Sequence, residues 1–336
     1  MSTIKSGMLE NREEYLKQIG MQAKNSKGFD NRQSGVDHAR RLRHSLAYIC
    51  IYAGNYVSVV DIDDARKLQE IQVDAGPLDI VADRAGRFAY VSNFIANTLS
   101  VIDLRKSVTV KTVAAGSGPA GVRLSRDNRY LYVAQYAEPV VNVLDAVSLE
   151  TVTQIPLSSP GFLMDITADG ALAFVSLRSA AQIAVIDLFV NLVVKVIPAG
   201  AGTEYVRVSP NNRQVFVSNE DGNSITPVNI ALGEPASPNI PTLAGPVGLA
   251  LTQEGRRLYC ANREDASVSV FDVFTRAQIA RIPAGRGPYG AQTTCDGRRL
   301  VVTNTYENTA SIISTQQNRV TATVEVGDAP AFLAIL

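Results

Sequence analysis

A proline-centred loop returns along this chain at nearly constant spacing, and that periodicity limits the fold more than any other feature. The anchors are Pro77, Pro119, Pro160, Pro246, Pro288 and Pro330, with Thr203 in the remaining slot; successive steps are 42, 41, 43, 43, 42 and 42 residues. A second marker closes "YVSN", "YVAQ", "FVSL", "FVSN", "YCAN" and "VVTN" at Asn93, Gln135, Leu177, Asn219, Asn262 and Asn304. A third closes "SVVD", "SVID", "NVLD", "AVID" and "SVFD" at Asp61, Asp103, Asp145, Asp187 and Asp272, with Asn229 and Ser314 in two further slots. Each period reads as four short strands rich in Val, Ile, Leu and Tyr, punctuated by Gly, Pro, Asn, Asp and Ser. Four strands in about 42 residues, repeated seven times, predict an all-β, seven-bladed β-propeller.

The two ends of the repeat predict how the ring closes. The segment "PAFLAIL" at the C-terminus is an inner strand without the rest of its blade. The other three strands of a blade, "LAYICIY", "VSVVDI" and "KLQEIQV", stand near the N-terminus. The last strand is therefore expected to complete the first blade, which removes two open sheet edges.

The same repeat decides the meaning of "AAGSGPAGVRLS", where Gly116, Gly118 and Gly121 spell G-x-G-x-x-G. A dinucleotide loop of that spacing needs a helix to follow it, because the helix N-terminus holds the pyrophosphate. Here a strand follows, and relatives of the loop recur in every blade. The glycines are read as a strand-connecting turn, and no cofactor is expected.

The recurring Y-V-x-N marker, the turns "SPNN", "TADG" and "TCDG", and the G-P loop resemble the YVTN family of seven-bladed propellers over residues 46–336. The resemblance implies the architecture but not one activity, since proteins of this look include surface proteins, partner binders, lactonase-like proteins and lyases. Residues 1–45 lie outside the repeat. There Met8, Tyr15, Leu16 and Ile19 stand among charges, which suggests a short amphipathic helix, and "AKNSKGFDNRQSG" reads as a linker. The extension is expected to be a tail, a helix packed on the ring, or a dimerisation arm that makes a homodimer.

Composition narrows the partners. Lys and Arg total 32, equal to Asp and Glu at 32, so bulk electrostatics give no reason to expect nucleic acid. No apolar run approaches membrane-spanning length and no signal-type hydrophobic segment opens the chain, so a cytoplasmic protein without membrane association is expected. Cys50, Cys260 and Cys295 are too scattered for a disulfide framework or zinc cluster and are read as reduced, mostly buried thiols. His38 and His44 are the two histidines and both precede the first strand. That disfavours a His-based metal site, triad or lyase mechanism in the ring.

Candidate site residues are those that break the repeat, since structural roles are shared by all blades. The blade-to-blade loop and the loop after the second strand are expected at one face, around the channel mouth. Blade five carries Glu204, Tyr205 and Arg207 where other blades keep small residues; these are the candidate catalytic set. Asp79, Arg123, Phe162, Arg178, Arg263, Tyr289, Tyr306 and Phe332 are candidate ligand-binding residues. Arg123 and Arg207 share one repeat slot, four residues past the anchor, and are expected to pair with Asp79, Asp165 or Glu204. Strand alternation separates Glu204 from Tyr205 and Arg207 unless Glu204 lies in the preceding loop. The acid pairs Glu220–Asp221 and Glu264–Asp265 match no defined metal-loop motif, and no metal is assigned.

Two function classes remain open on the sequence. One is a binding platform that presents the channel face to a small molecule or a protein. The other is a metal-independent lactone hydrolase, isomerase or cyclase, with Glu204 as acid/base, Tyr205 or Tyr289 as proton donor and Arg207 as anion clamp.

Overall fold

The computed structural model describes residues 45–336, and the helix and linker expected before them lie outside the described residues. The chain forms seven antiparallel sheets, each a blade of four strands numbered here from the channel outward. Blade two is representative, with strands Pro77–Ala82, Phe88–Asn93, Thr98–Asp103 and Val108–Ala114. Its second and third strands are almost wholly buried, while its outer strand alternates exposed and half-buried positions. The reason is stacking: a blade's central strands have neighbours on both faces, so both pleat faces need apolar residues. Ala47, Ile49 and Val60 of blade one thus share a cluster with Val301, Ala310 and Ile312 of blade seven.

The last strand, Pro330–Ile335, pairs with Leu46–Ile51 and completes blade one. The register sets Ala47 opposite Ile335 and Ile49 opposite Leu333. This is the closure the sequence predicts.

The polar repeat markers have structural work in the blades that keep them. The Asn93 side chain donates to Thr98 and Ser100 of the next strand, and Asn219, Asn262 and Asn304 do the same in their blades. Asp61, Asp103, Asp145 and Asp187 accept from the backbone N–H groups of the turn that follows. These positions recur because they fasten turns. In the G-x-G-x-x-G segment, Gly116 and Gly118 adopt φ values of 107° and 62° in the turn. Gly121 lies in the inner strand of blade three, where a Cβ would sit 2.9 Å from Leu163 Cα of blade four. The motif serves turn geometry and close packing of inner strands.

Two blades depart from the regular four-strand period. The outer strand of blade five is broken into Glu234–Pro235 and Ile240–Pro241, because prolines cannot donate to a continuous ladder. The inner strand of blade four is only Met164–Ile166. The three cysteines are free and mostly buried, as read from the sequence: Cys50 and Cys260 are buried and Cys295 is exposed in a turn. No helix among the described residues is long and apolar enough to cross a membrane.

Candidate functional site

Backbone hydrogen bonds bring the two loop families together at one end of the ring. The N–H groups of Phe94, Tyr136, Glu220 and Arg263, each just past a second strand, donate to the carbonyls of Gly76, Gly118, Gly202 and Gly245. The mouth is therefore built from the loop that precedes the inner strand and the loop that leaves the second strand.

The inner strands place the deeper side chains through a bulge. Pairing between inner and second strand shifts between Pro77 and Asp79, Pro119 and Val122, Thr203 and Val206, and Pro288 and Ala291. Glu204 lies within the strand Thr203–Val208 rather than in the preceding loop, and it parts from Tyr205 and Arg207 as strand alternation predicts. Register also realigns blade four. Leu163 N–H bonds the Ser176 hydroxyl as Tyr205 N–H bonds Ser218, so Phe162 occupies the slot of Glu204 and Tyr289. Counting from Pro160 misses this by one residue.

Three layers follow inward along the channel. At the rim of blades one to four, aromatic rings form an arc. Tyr52 and Phe94 lie 6.5 Å apart between centroids, Phe94 and Tyr136 5.5 Å, and Tyr136 and Phe162 5.4 Å. Blades four to six carry charge instead. Arg178 pairs with Glu204, with Glu220 at 2.8 Å and with Asp221 at 3.3 Å. Arg263 pairs with Glu220 at 3.0 Å and Glu264 at 3.1 Å. The two acid pairs noted in the sequence are thus bridged by arginines. Tyr306 stands exposed at the rim, with its hydroxyl 3.5 Å from Glu264.

Below the rim, Phe332 packs against Tyr289 at 4.8 Å and Tyr205 at 5.3 Å, bringing together rings from three blades. The Tyr289 hydroxyl donates to Glu204 at 3.3 Å. Deeper still lies a ladder of alternating charge. Arg123 pairs with Asp79 at 2.6 Å and with Asp165 at 3.6 Å, and Arg207 approaches Asp165 at 3.9 Å. Arg207 also donates to the Tyr205 hydroxyl at 2.7 Å and to the Leu249 carbonyl at 3.0 Å. Register explains the ladder: Asp165 pairs with Phe174 as Arg123 does with Tyr132 and Arg207 with Phe216.

The candidate catalytic set is thereby divided. Tyr205 and Arg207 touch one another, whereas Glu204 belongs with Arg178, Glu220 and Tyr289. The expected pairing of Glu204 with Arg123 or Arg207 is replaced by the Arg178 pair. Glu204 is 4% exposed, and burial pushes its carboxyl up to about 7 despite the opposing Arg178 charge. Burial likewise raises the Tyr289 phenol well above its ordinary value, with the Glu204 and Glu220 charges adding to it. Tyr52 and Phe94 were not singled out in the sequence, nor Tyr136 as part of an arc. Their signal is positional: each follows the second strand in the slot where blades four to six carry Arg178, Glu220 and Arg263.

A family model described as the cytochrome D1 heme domain matches residues 44–160, less than half of the chain. No curated protein matches the sequence. Among solved structures, hydrazine synthase of Kuenenia stuttgartiensis is similar at TM-score 0.72 and 22% identity, over 79% of this chain and 90% of that one. A candidate 6-phosphogluconolactonase of Bacteroides uniformis is similar at TM-score 0.74 and 17% identity, over 87% and 100%. Dihydro-heme d1 dehydrogenase NirN, solved in complex with DHE, is similar at TM-score 0.66 and 15% identity; the chain spans 63% of its length. At these identities the likeness is one of fold. The fold and these neighbours define the chain as a seven-bladed β-propeller.

Proposed function

We propose that the channel mouth is the binding site for a small organic molecule. The observation that carries this reading is the division of the rim, with a run of tilted and edge-to-face aromatic rings over blades one to four and hydrogen-bonding charged groups over blades four to six. A ligand with one flat apolar part and one polar part meets complementary groups on both sides. Tyr205, Tyr289 and Phe332 form the floor on which it rests.

The residues deep in the mouth do not fit a histidine- or thiolate-ligated haem. The described residues contain no histidine. The thiols of Cys50 and Cys260 are buried and raised by that burial. The phenols of Tyr205 and Tyr289 are also raised by burial, away from the anionic form that ligates iron. A phosphorylated sugar is poorly served as well, because Arg123, Arg178, Arg207 and Arg263 already face carboxylates.

The test is equilibrium dialysis of the full chain against a cell metabolite extract, followed by mass spectrometry of what the denatured protein releases. A compound retained by wild type and lost in Phe94→Leu/Tyr136→Leu supports the site. If nothing is enriched, or retention is unchanged in that variant, the mouth is not a small-molecule site.

One observation favours a second reading, a metal-independent hydrolase or isomerase. A buried carboxyl near pH 7 that accepts from a tyrosine is poised to exchange a proton with a bound substrate. Activity on a panel of small lactones should then follow Glu204 ionisation near pH 7 and vanish in Glu204→Gln. Turnover that survives this substitution removes the acid/base role.

A further inference from the structure

We propose that the mouth selects a flat, ring-containing organic cation, whose ring lies on the Phe94–Tyr136–Phe162 arc and whose positive group meets the carboxylates of blades five and six. The proposal deepens the small-molecule reading and rests on it.

Two independent observations converge. The first is the arc itself, three ring pairs in sequence over blades one to four. Tyr136 is 44% exposed, so part of this aromatic surface stands open to a ligand. The rings meet one another tilted or edge-on, and an exposed ring face attracts a cation through its quadrupole and a delocalised ring cation through its π-surface as well. The second is charge. In the adjoining network, the carboxylates of Glu204, Glu220, Asp221 and Glu264 face the guanidiniums of Arg178 and Arg263, four acids against two bases. Each guanidinium is shared among at least two carboxylates, which leaves the network with an excess of negative charge. On the aromatic side, Glu138 follows Tyr136 in the same loop and accepts from the Ser117 hydroxyl, adding a further acid. An anionic ring would face the acid excess without compensation, and a neutral ring would gain the stacking alone.

The sign of the ligand charge is separable from the existence of the site. Isothermal titration of the full chain at pH 8 and low salt would compare three probes of similar shape. These are N-methylquinolinium, which is permanently cationic; quinoline, neutral at that pH; and naphthalene-2-sulfonate, an anion. The cation is expected to bind about tenfold more tightly than the neutral ring, with affinity that falls as salt rises. Tyr136→Leu, a change at an exposed position, should weaken it severalfold, and Glu264→Gln should narrow the preference over quinoline. Equal or tighter binding of quinoline or the sulfonate overturns the proposal. So does cation binding that Tyr136→Leu and Phe94→Leu leave untouched, since the probe then sits elsewhere. If no probe binds while a metabolite is still retained in dialysis, the cation proposal falls and the small-molecule site stands.

Discussion

The Tyr289 hydroxyl donates to Glu204 Oε1 at 3.3 Å, joining blade seven to blade five across the channel mouth. Glu204 Oε2 is held by Arg178 of blade four. One carboxylate thus ties three blades together, and burial favours its protonated form. The sign of the pH effect follows. An acid whose pKa is raised to about 7 on folding binds more protons in the folded than in the unfolded chain between its ordinary value and 7. Its contribution to stability therefore declines as pH rises through that window and is level above it. Urea unfolding at pH 5, 6, 7 and 8 should show a decline on the order of 2 kcal/mol from this group. Glu204→Gln should flatten it, and a slope identical to wild type would mean that Glu204 titrates in its ordinary range.

Arg123 is the hinge of the deep charge ladder. Asp79, 3% exposed, faces it and also accepts the Val122 N–H. Arg123→Met leaves that carboxylate buried beside a thioether and should cost about 3–5 kcal/mol. Asp79→Leu combined with Arg123→Met should recover much of the loss, because the stranded charge is gone. Thermal or urea melts of the two variants check this; a double variant as unstable as the single would show that packing, not charge, sets the cost.

Gly248 lies in the inner strand of blade six, and a Cβ there would meet the Tyr289 carbonyl oxygen of blade seven at 2.1 Å. Backbone cannot yield as a flexible side chain does. Gly248→Ala should destabilise by about 3 kcal/mol or more. Gly118→Ala, with a Cβ 3.5 Å from its nearest neighbours but a φ of 62°, should cost about 1–2 kcal/mol of backbone strain alone. Comparable melts for the two variants would contradict the close approach of the inner strands.

Removal of Pro330–Leu336 takes the inner strand from blade one and bares the edge of Leu46–Ile51. The truncated chain should aggregate or lose its cooperative transition. A monodisperse product that melts like wild type in calorimetry would show that the closing strand is dispensable.

Removal of residues 1–42 tests the extension. The ring's first blade is completed by its own C-terminal strand, so the β signature in circular dichroism should persist. Sedimentation of the shortened and full chains then reports on the arm: a dimer that becomes a monomer assigns the homodimer to the extension. Loss of the β signature would make the extension part of the fold.

The architecture was legible because it is written seven times. Asn93 ties one strand to the next and Asp103 fastens a turn, and such local roles favour the same residue type in most blades. Even the closure of the ring followed from counting strands at the two ends. The site was legible only as a set of departures: Glu204, Tyr205, Arg207, Tyr289 and Phe332 stood out because their blades differ from the rest. What they touch was hidden. Alternation already separates Glu204 from Arg207, but that one meets Arg178 at the rim and the other Asp165 in the channel is set by the neighbouring blades. The one-residue shift in blade four, which sets Phe162 beside the arc, also lies outside what spacing reports, since anchor and strand moved independently. Local hydrogen bonding is periodic along the chain and survives in sequence. Contacts across the channel join blades 40 to 130 residues apart, and only the closed ring decides which side chains meet there.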